Sequence, residues 1–130
     1  MNKTPNQNWV EKISTYKKKC QSILNLSSSI RYVGLINQYG RTLTGMIKPG
    51  TRILLKSEAA RNEFFLVSTL FNMRNKIDAA IGGMDYATFA HDKVTLLVFQ
   101  SREGIYYVSL NRNITPDATV KIISKIKKIV

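Results

Sequence analysis

Apolar residues recur along the chain with two periods, and the changes between them mark out the elements. From about Asn6 to Leu26, the residues Trp9, Ile13, Tyr16, Cys20 and Ile23 or Leu24 follow at steps of three and four. This puts them on one face of an amphipathic helix, with Lys12, Lys17, Lys18 and Lys19 largely on the others. The hydroxyls of Ser27-Ser28-Ser29 compete with helical hydrogen bonds and are expected to end it. The period then changes to two. Ile30, Tyr32 and Ile36 alternate with Val33 and Leu35, so the strand from Ile30 to Asn37 is apolar on both faces and requires cover on both. Gln38-Tyr39-Gly40-Arg41 is a hairpin turn in which Gly40 takes positive φ without steric cost. Thr42 to Lys48 has Gly45, two threonines and a Pro-Gly exit, as an edge strand would.

A long helix is predicted from Ser57, as N-cap, to Ile81, before Gly82-Gly83. Its apolar set of Phe64, Leu66, Val67, Leu70, Phe71, Met73, Ile77 and Ile81 is wider than docking on one sheet demands. Met84 to Ala90 reads as a second edge strand, and Val94 to Phe99 and Ile105 to Leu110 as central strands joined by short hairpin turns. Thr115-Pro116 starts a last helix with a stripe of Val120, Ile123, Ile126 and Val130. The order is α-β-β-α-β-β-β-α. With strands one, four and five inside, it gives an α+β fold of three layers, α/β/α, around a five-stranded antiparallel sheet in the order 2-1-5-4-3. The long helix takes one face, and the first and last helices take the other.

The chain of 130 residues, 44% hydrophobic and 22% charged, suits one globular domain over residues 9–130, with residues 1–8 expected to be a flexible N-terminus. A single cysteine, no charged-then-apolar leader and no long apolar run imply a soluble cytoplasmic protein without a transmembrane segment. The net charge of +12 is unevenly spread: residues 1–56 carry ten basic and one acidic residue, residues 57–112 six of each, and residues 113–130 four lysines against Asp117. Lys17, Lys18, Lys19, Lys121, Lys125, Lys127 and Lys128 therefore fall on the two helices assigned to one layer. Together they are a candidate basic face for a protein partner, nucleic acid or an anionic surface.

Catalysis finds no support. One His, one Cys and eight scattered carboxylates make no metal-ligand or nucleophile-and-base spacing, and GxxxxGK[ST] and GxGxxG are absent, so no metal and no cofactor are expected. Cys20 follows three lysines, which would lower its pKa, but it also lies on the apolar helix face as a buried structural thiol would. His91-Asp92 is read as a hairpin tip.

The hairpin VGLINQYGRTLTGM has an apolar strand ending in Asn37, then Gly40 and a second strand. With the long helix and the three strands after it, this resembles the roadblock family of dynein-light-chain-like domains, in the profilin-like and longin-like group, over about residues 10–125. The Lys, Asn and Ile bias is similar to that of uncharacterised archaeal proteins. The resemblance implies a non-catalytic module that dimerises through the long helix and the adjoining edge strand, as a scaffold or a regulator of small GTPases. Leu66, Leu70, Met73, Arg74, Ile77, Met84 and Tyr86 become the candidate dimer interface, with Arg74 either lying along the sheet with its head in water or pairing with Glu63 or Asp78 of a second copy. Two other classes stay open. One is a PAS-like sensory or small-ligand-binding domain, with the loop KPGTRILLK (48–56) covering a pocket; the other is a nucleic-acid-associated basic protein.

Overall fold

In the structure, a computed structural model that describes residues 2–130, the elements are α1 (Pro5–Leu24), β1 (Ile30–Ile36), β2 (Thr42–Ile47), α2 (Ser57–Arg74), a 3-10 turn (Asn75–Ile77), α3 (Asp78–Ile81), β3 (Tyr86–Ala90), β4 (Val94–Gln100), β5 (Ile105–Asn111) and α4 (Pro116–Ile129). All strand pairs are antiparallel, in the order β2-β1-β5-β4-β3. This is the order expected from which strands are apolar on both faces.

Two cores lie on either side of the sheet. On one face Val33, Leu35, Leu97, Phe99, Tyr106 and Val108 meet Cys20, Ile23 and Leu24 of α1 and Ile122 and Ile126 of α4. On the other, Ile36, Val98, Ile105 and Tyr107 meet Phe64, Val67 and Phe71 of α2. Strand alternation assigns each residue to its core.

The helix limits differ from the sequence reading, each for a local reason. α1 begins at Pro5, one residue before the start expected from the spacing and inside the stretch 1–8 expected to be flexible: the Thr4 hydroxyl accepts from the Gln7 amide, and the Gln7 side chain accepts from the Thr4 amide, a complete capping box followed by Pro5. At about 1.5 Å per residue α1 is roughly 30 Å long, against about 23 Å for a seven-residue strand, so its start overhangs the sheet. Trp9 is therefore exposed, although its spacing placed it in the packed stripe. The helix ends at Asn25, before the serine run.

The long helix is broken. It runs regularly to Arg74, then tightens to 3-10 at Asn75–Ile77 and resumes for one turn. Its N-cap is Lys56, without a side-chain hydrogen bond, and Ser57 is already helical. In α4 the buried pair is Ile122 and Ile126, while Val120 is exposed, so the packed stripe is rotated from the one predicted.

The opening hairpin fixes where α2 sits. The Asn37 carboxamide oxygen accepts from the amides of Tyr39 and Arg41, and the Gly40 amide donates to the Asn37 carbonyl. Gly40 has φ +81°, and its Cα faces the α2 backbone at Phe64–Phe65. Asn72 of α2 also donates to the Gln38 carbonyl at 2.9 Å. The turn residues thus also serve as a docking contact for the helix.

Candidate functional site

Three features compete for a functional role: the outer face of α2, the layer of α1 and α4, and a cavity between the loop 48–56 and the sheet.

The buried residues of α2 are Phe64, Val67, Ser68 and Phe71. Leu66, Leu70 and Met73 centre roughly 140° away around the α2 axis at about 100° per residue, and Ile77 follows them in the 3-10 turn. They are exposed, Leu66 and Met73 by more than 60%. The helix therefore carries a second apolar row that its own sheet does not cover. Met84 packs beside the α2 core. Tyr86 does not join this row: it pairs with Phe99 across β3–β4 and stacks on that ring at 5.8 Å, on the face of α4. The reason is alternation along β3, which sends Ala87 and Phe89, not Tyr86, to the α2 side. Tyr86 shares only the open β3 edge with the candidate set.

Arg74 is exposed at the end of α2 and makes no ion pair among the described residues. Of its two candidate partners, Glu63 already accepts a hydrogen bond from the Tyr107 hydroxyl at 2.7 Å. Asp78 makes no ion pair within the chain among the described residues.

The seven candidate lysines lie on the α1 and α4 layer but are not equivalent. Lys19 pairs with Glu103, and Lys127 with Asp85. Partial burial pushes the Glu103 carboxyl up, but hydrogen bonds from Lys19, Ser101 and its own backbone outweigh this and hold it below its ordinary value. Lys17, Lys18, Lys121, Lys125 and Lys128 are exposed and without carboxylate partners among the described residues. Beneath this layer Cys20 is fully buried. Burial pushes its thiol up to about 11, so desolvation prevails over the three preceding lysines.

The third feature is a cavity of about 680 Å³. Its floor is a cross-strand row of Tyr32, Ser109 and Leu96. One wall is α2 through Ala60, Glu63 and Phe64, another is Ile53-Leu54-Leu55 of the loop, and the turn His91-Asp92-Lys93 closes one side. The Arg31 guanidinium holds the loop, donating to the Arg52 carbonyl at 2.6 Å. Small residues and one leaning ring create the space. Ser109 and Ala60 fill little volume. Gly34 and Gly45, directly opposite on β1 and β2, let the Tyr32 ring lie down over them. Tyr32 also stacks on Phe64, and burial pushes its hydroxyl up to about 12. Because its parts are distant in sequence, no local pattern announced the cavity; only the expectation of a covering loop pointed there.

Among the described residues no group of three or more His, Cys, Asp and Glu is placed to hold a metal ion, and no helix is long and apolar enough to cross a membrane.

No protein-family model matches the chain, and no curated protein matches it. Solved structures do. The gliding protein MglB of Thermus thermophilus superposes with a TM-score of 0.69 at 13% identity, over 90% of this chain and 86% of that one. An MglB with a tetrameric arrangement gives 0.64 at 14% identity, over 99% and 92%. A Roadblock/LC7 domain from Streptomyces avermitilis gives 0.61 at 12% identity, over 85% and 90%. Agreement over nearly whole chains, with the 2-1-5-4-3 sheet and the helix layers described above, shows that this chain has the roadblock fold.

Proposed function

We propose that the chain is a non-catalytic interaction module that forms a homodimer through the outer row of α2 and the open edge of β3. The observation that carries this reading is the row Leu66, Leu70 and Met73, exposed on a helix whose opposite face is already buried and continued by exposed Ile77 in the 3-10 turn. Burying apolar surface yields roughly 25 cal/mol per Å², and an isologous helix pair covers the same row twice. The β3 edge lies beyond α3, at the end of the same segment, and leaves backbone groups for a second strand. The tetrameric arrangement of a protein with the same fold supports self-association as a use of this architecture. Arg74 then has Asp78 of the second copy as its partner, because Glu63 is taken by Tyr107 within the chain.

The α1 and α4 layer is the proposed surface for a second protein, with Lys17, Lys18, Lys121, Lys125 and Lys128 as its free cations. The roadblock resemblance makes a small GTPase the partner class, in the cytoplasm. Light scattering across protein and salt concentrations tests the first part: a dimer whose mass is unchanged by salt is expected, and a monomer at tens of micromolar overturns it. Titration of a purified small GTPase tests the second: binding weakened by Lys121→Glu with Lys125→Glu is expected, and no binding, or binding unchanged by both, overturns it.

A further inference from the structure

We propose that the cavity under the loop 48–56 is a binding site for a single-chain amphipathic anion, an apolar chain ending in one carboxylate, phosphate or sulfate. This goes beyond self-association and does not depend on it.

The size of the cavity, about 680 Å³, lies within the roughly 300–1,000 Å³ of small-molecule sites. Its interior suits a chain rather than a polar metabolite: Tyr32, Phe64, Leu96 and Val94 line the inner side, and Leu54 and Leu55 the loop side. Ile53, Leu54 and Leu55 are each more than 40% exposed, a contiguous apolar run at the cavity rim. An occupant that reached them would cover that area.

The charge around the cavity selects the sign of the head group. Arg31, Arg52 and Lys93 line it against Glu63 and Asp92. The acidic groups are not equal competitors. Glu63 is engaged by the Tyr107 hydroxyl, while Asp92 is exposed and unpaired among the described residues, so three lining cations stand against two carboxylates. Arg52 and Lys93 are exposed and have no carboxylate partner among the described residues. The start of α2 adds to this: the helix begins between the lining residues Leu55 and Ala60, and its N-cap offers no side-chain acceptor to the first amides. Glu58 in the first turn offsets part of the helix dipole, so the exposed cations Arg52 and Lys93 are what favour an anion here. The head group belongs at this mouth, with the chain running over Ser109 toward Phe64.

Dodecanoate is the probe, titrated into the full chain by calorimetry, with dodecyltrimethylammonium and dodecanol as the cationic and neutral counterparts. One dodecanoate per chain is expected, bound at least tenfold more tightly than the ammonium. Ser109→Phe, which fills the floor, is expected to abolish binding of dodecanoate and dodecanol alike. Arg52→Glu combined with Lys93→Glu changes exposed positions and spares the core. It should weaken dodecanoate by tenfold or more and dodecanol by less than twofold. Equal affinity for the two charged probes, no binding at all, or dodecanoate binding that survives the double charge reversal overturns the proposal. If Ser109→Phe does not fold, the charge reversal alone decides.

Discussion

Gly40 lies directly against Phe65: a Cβ placed on the glycine would stand 2.6 Å from the Phe65 Cα. Two effects therefore oppose substitution there. The backbone is left-handed, with φ +81°, which costs a non-glycine residue about 1 kcal/mol or more, and the added methyl meets helix backbone that cannot move aside cheaply. Gly50 has nearly the same φ, +80°, with nothing within 4 Å of a Cβ. Gly40→Ala is expected to cost on the order of 3 kcal/mol and Gly50→Ala only about 1 kcal/mol. Urea unfolding of the two variants measures the difference, and equal losses would sink the steric argument.

A second relationship predicts non-additivity. Tyr32 lies over the Gly34–Gly45 pair, where a Cβ on Gly45 would be 2.5 Å from the tyrosine oxygen. Gly34→Ala in the native chain should cost about 2 kcal/mol, because the ring must lift. In a Tyr32→Ala background the same change should be neutral or slightly stabilising, since alanine is the better strand residue once the ring is gone. A double-mutant cycle with coupling below about 0.5 kcal/mol would show that the ring is not what excludes a side chain.

The buried thiol gives a prediction in pH. Cys20 has an ordinary value near 9.0 and is pushed up to about 11 by burial. The folded state therefore holds its proton more tightly than the unfolded chain. Stability from this group is fully present below about pH 9 and is lost as pH rises toward 11, by on the order of 2 kcal/mol. Tyr32, raised from 10.0 to about 12, adds a loss of the same sign at higher pH. Cys20→Ala should flatten the stability profile between pH 9 and 11, though at the cost of some packing at every pH. Iodoacetamide should leave the native thiol unmodified at pH 8 and label it in urea.

These relationships also mark where sequence reasoning reached and stopped. The strand order was legible because Ile30–Ile36, Val94–Gln100 and Ile105–Asn111 are apolar on both faces, while Thr42–Ile47 and Tyr86–Ala90 are not. Gly40 and Asn37 were legible as turn residues. The contact of Gly40 with α2 was not, because close approach between distant segments leaves no local signature. The broken end of α2 has no sequence signal, because apolar spacing continues through Ile77 and Ile81 across the 3-10 turn. The face taken by Tyr86 was not legible, because edge-strand membership does not fix on which side of the sheet a residue lies. Ser109 and Ala60, which open the cavity, are simply small residues in sequence, and only the register that sets Ser109 between Tyr32 and Leu96 gives them meaning.

The dimer reading makes its own demand on α2. Leu66 and Met73 are more than 60% exposed, so replacing them changes little in the monomer. Leu66→Glu and Met73→Glu are each expected to leave thermal unfolding of the monomer within about 0.5 kcal/mol of native. Each should also weaken self-association by at least tenfold, about 1.4 kcal/mol, by burying a charge at the interface. Sedimentation equilibrium reports the association and circular dichroism the fold. A dimer unaffected by both changes would move the interface away from this row.

Adjacent tyrosines on β5 should respond in opposite directions to the loss of one oxygen. Tyr106 faces the α1 and α4 core, fully buried, and its hydroxyl has no hydrogen-bond partner among the described residues. Tyr107 faces α2 and donates to Glu63 at 2.7 Å. Burial raises both hydroxyls above their ordinary value, so both are neutral donors at pH 7. Removing an unpaired buried hydroxyl relieves a desolvation cost, and Tyr106→Phe is expected to stabilise the fold by about 1 kcal/mol. Tyr107→Phe leaves a partly buried carboxylate without its donor and should destabilise by roughly 1–3 kcal/mol. Glu63→Gln in the Tyr107→Phe background should recover part of that loss by removing the charge. Denaturant melts of the three variants at pH 7 give the signs. If Tyr106→Phe proved as costly as Tyr107→Phe, the Tyr106 hydroxyl would have to be paired, with Cys20, Tyr16 or Glu103 as the nearby candidates.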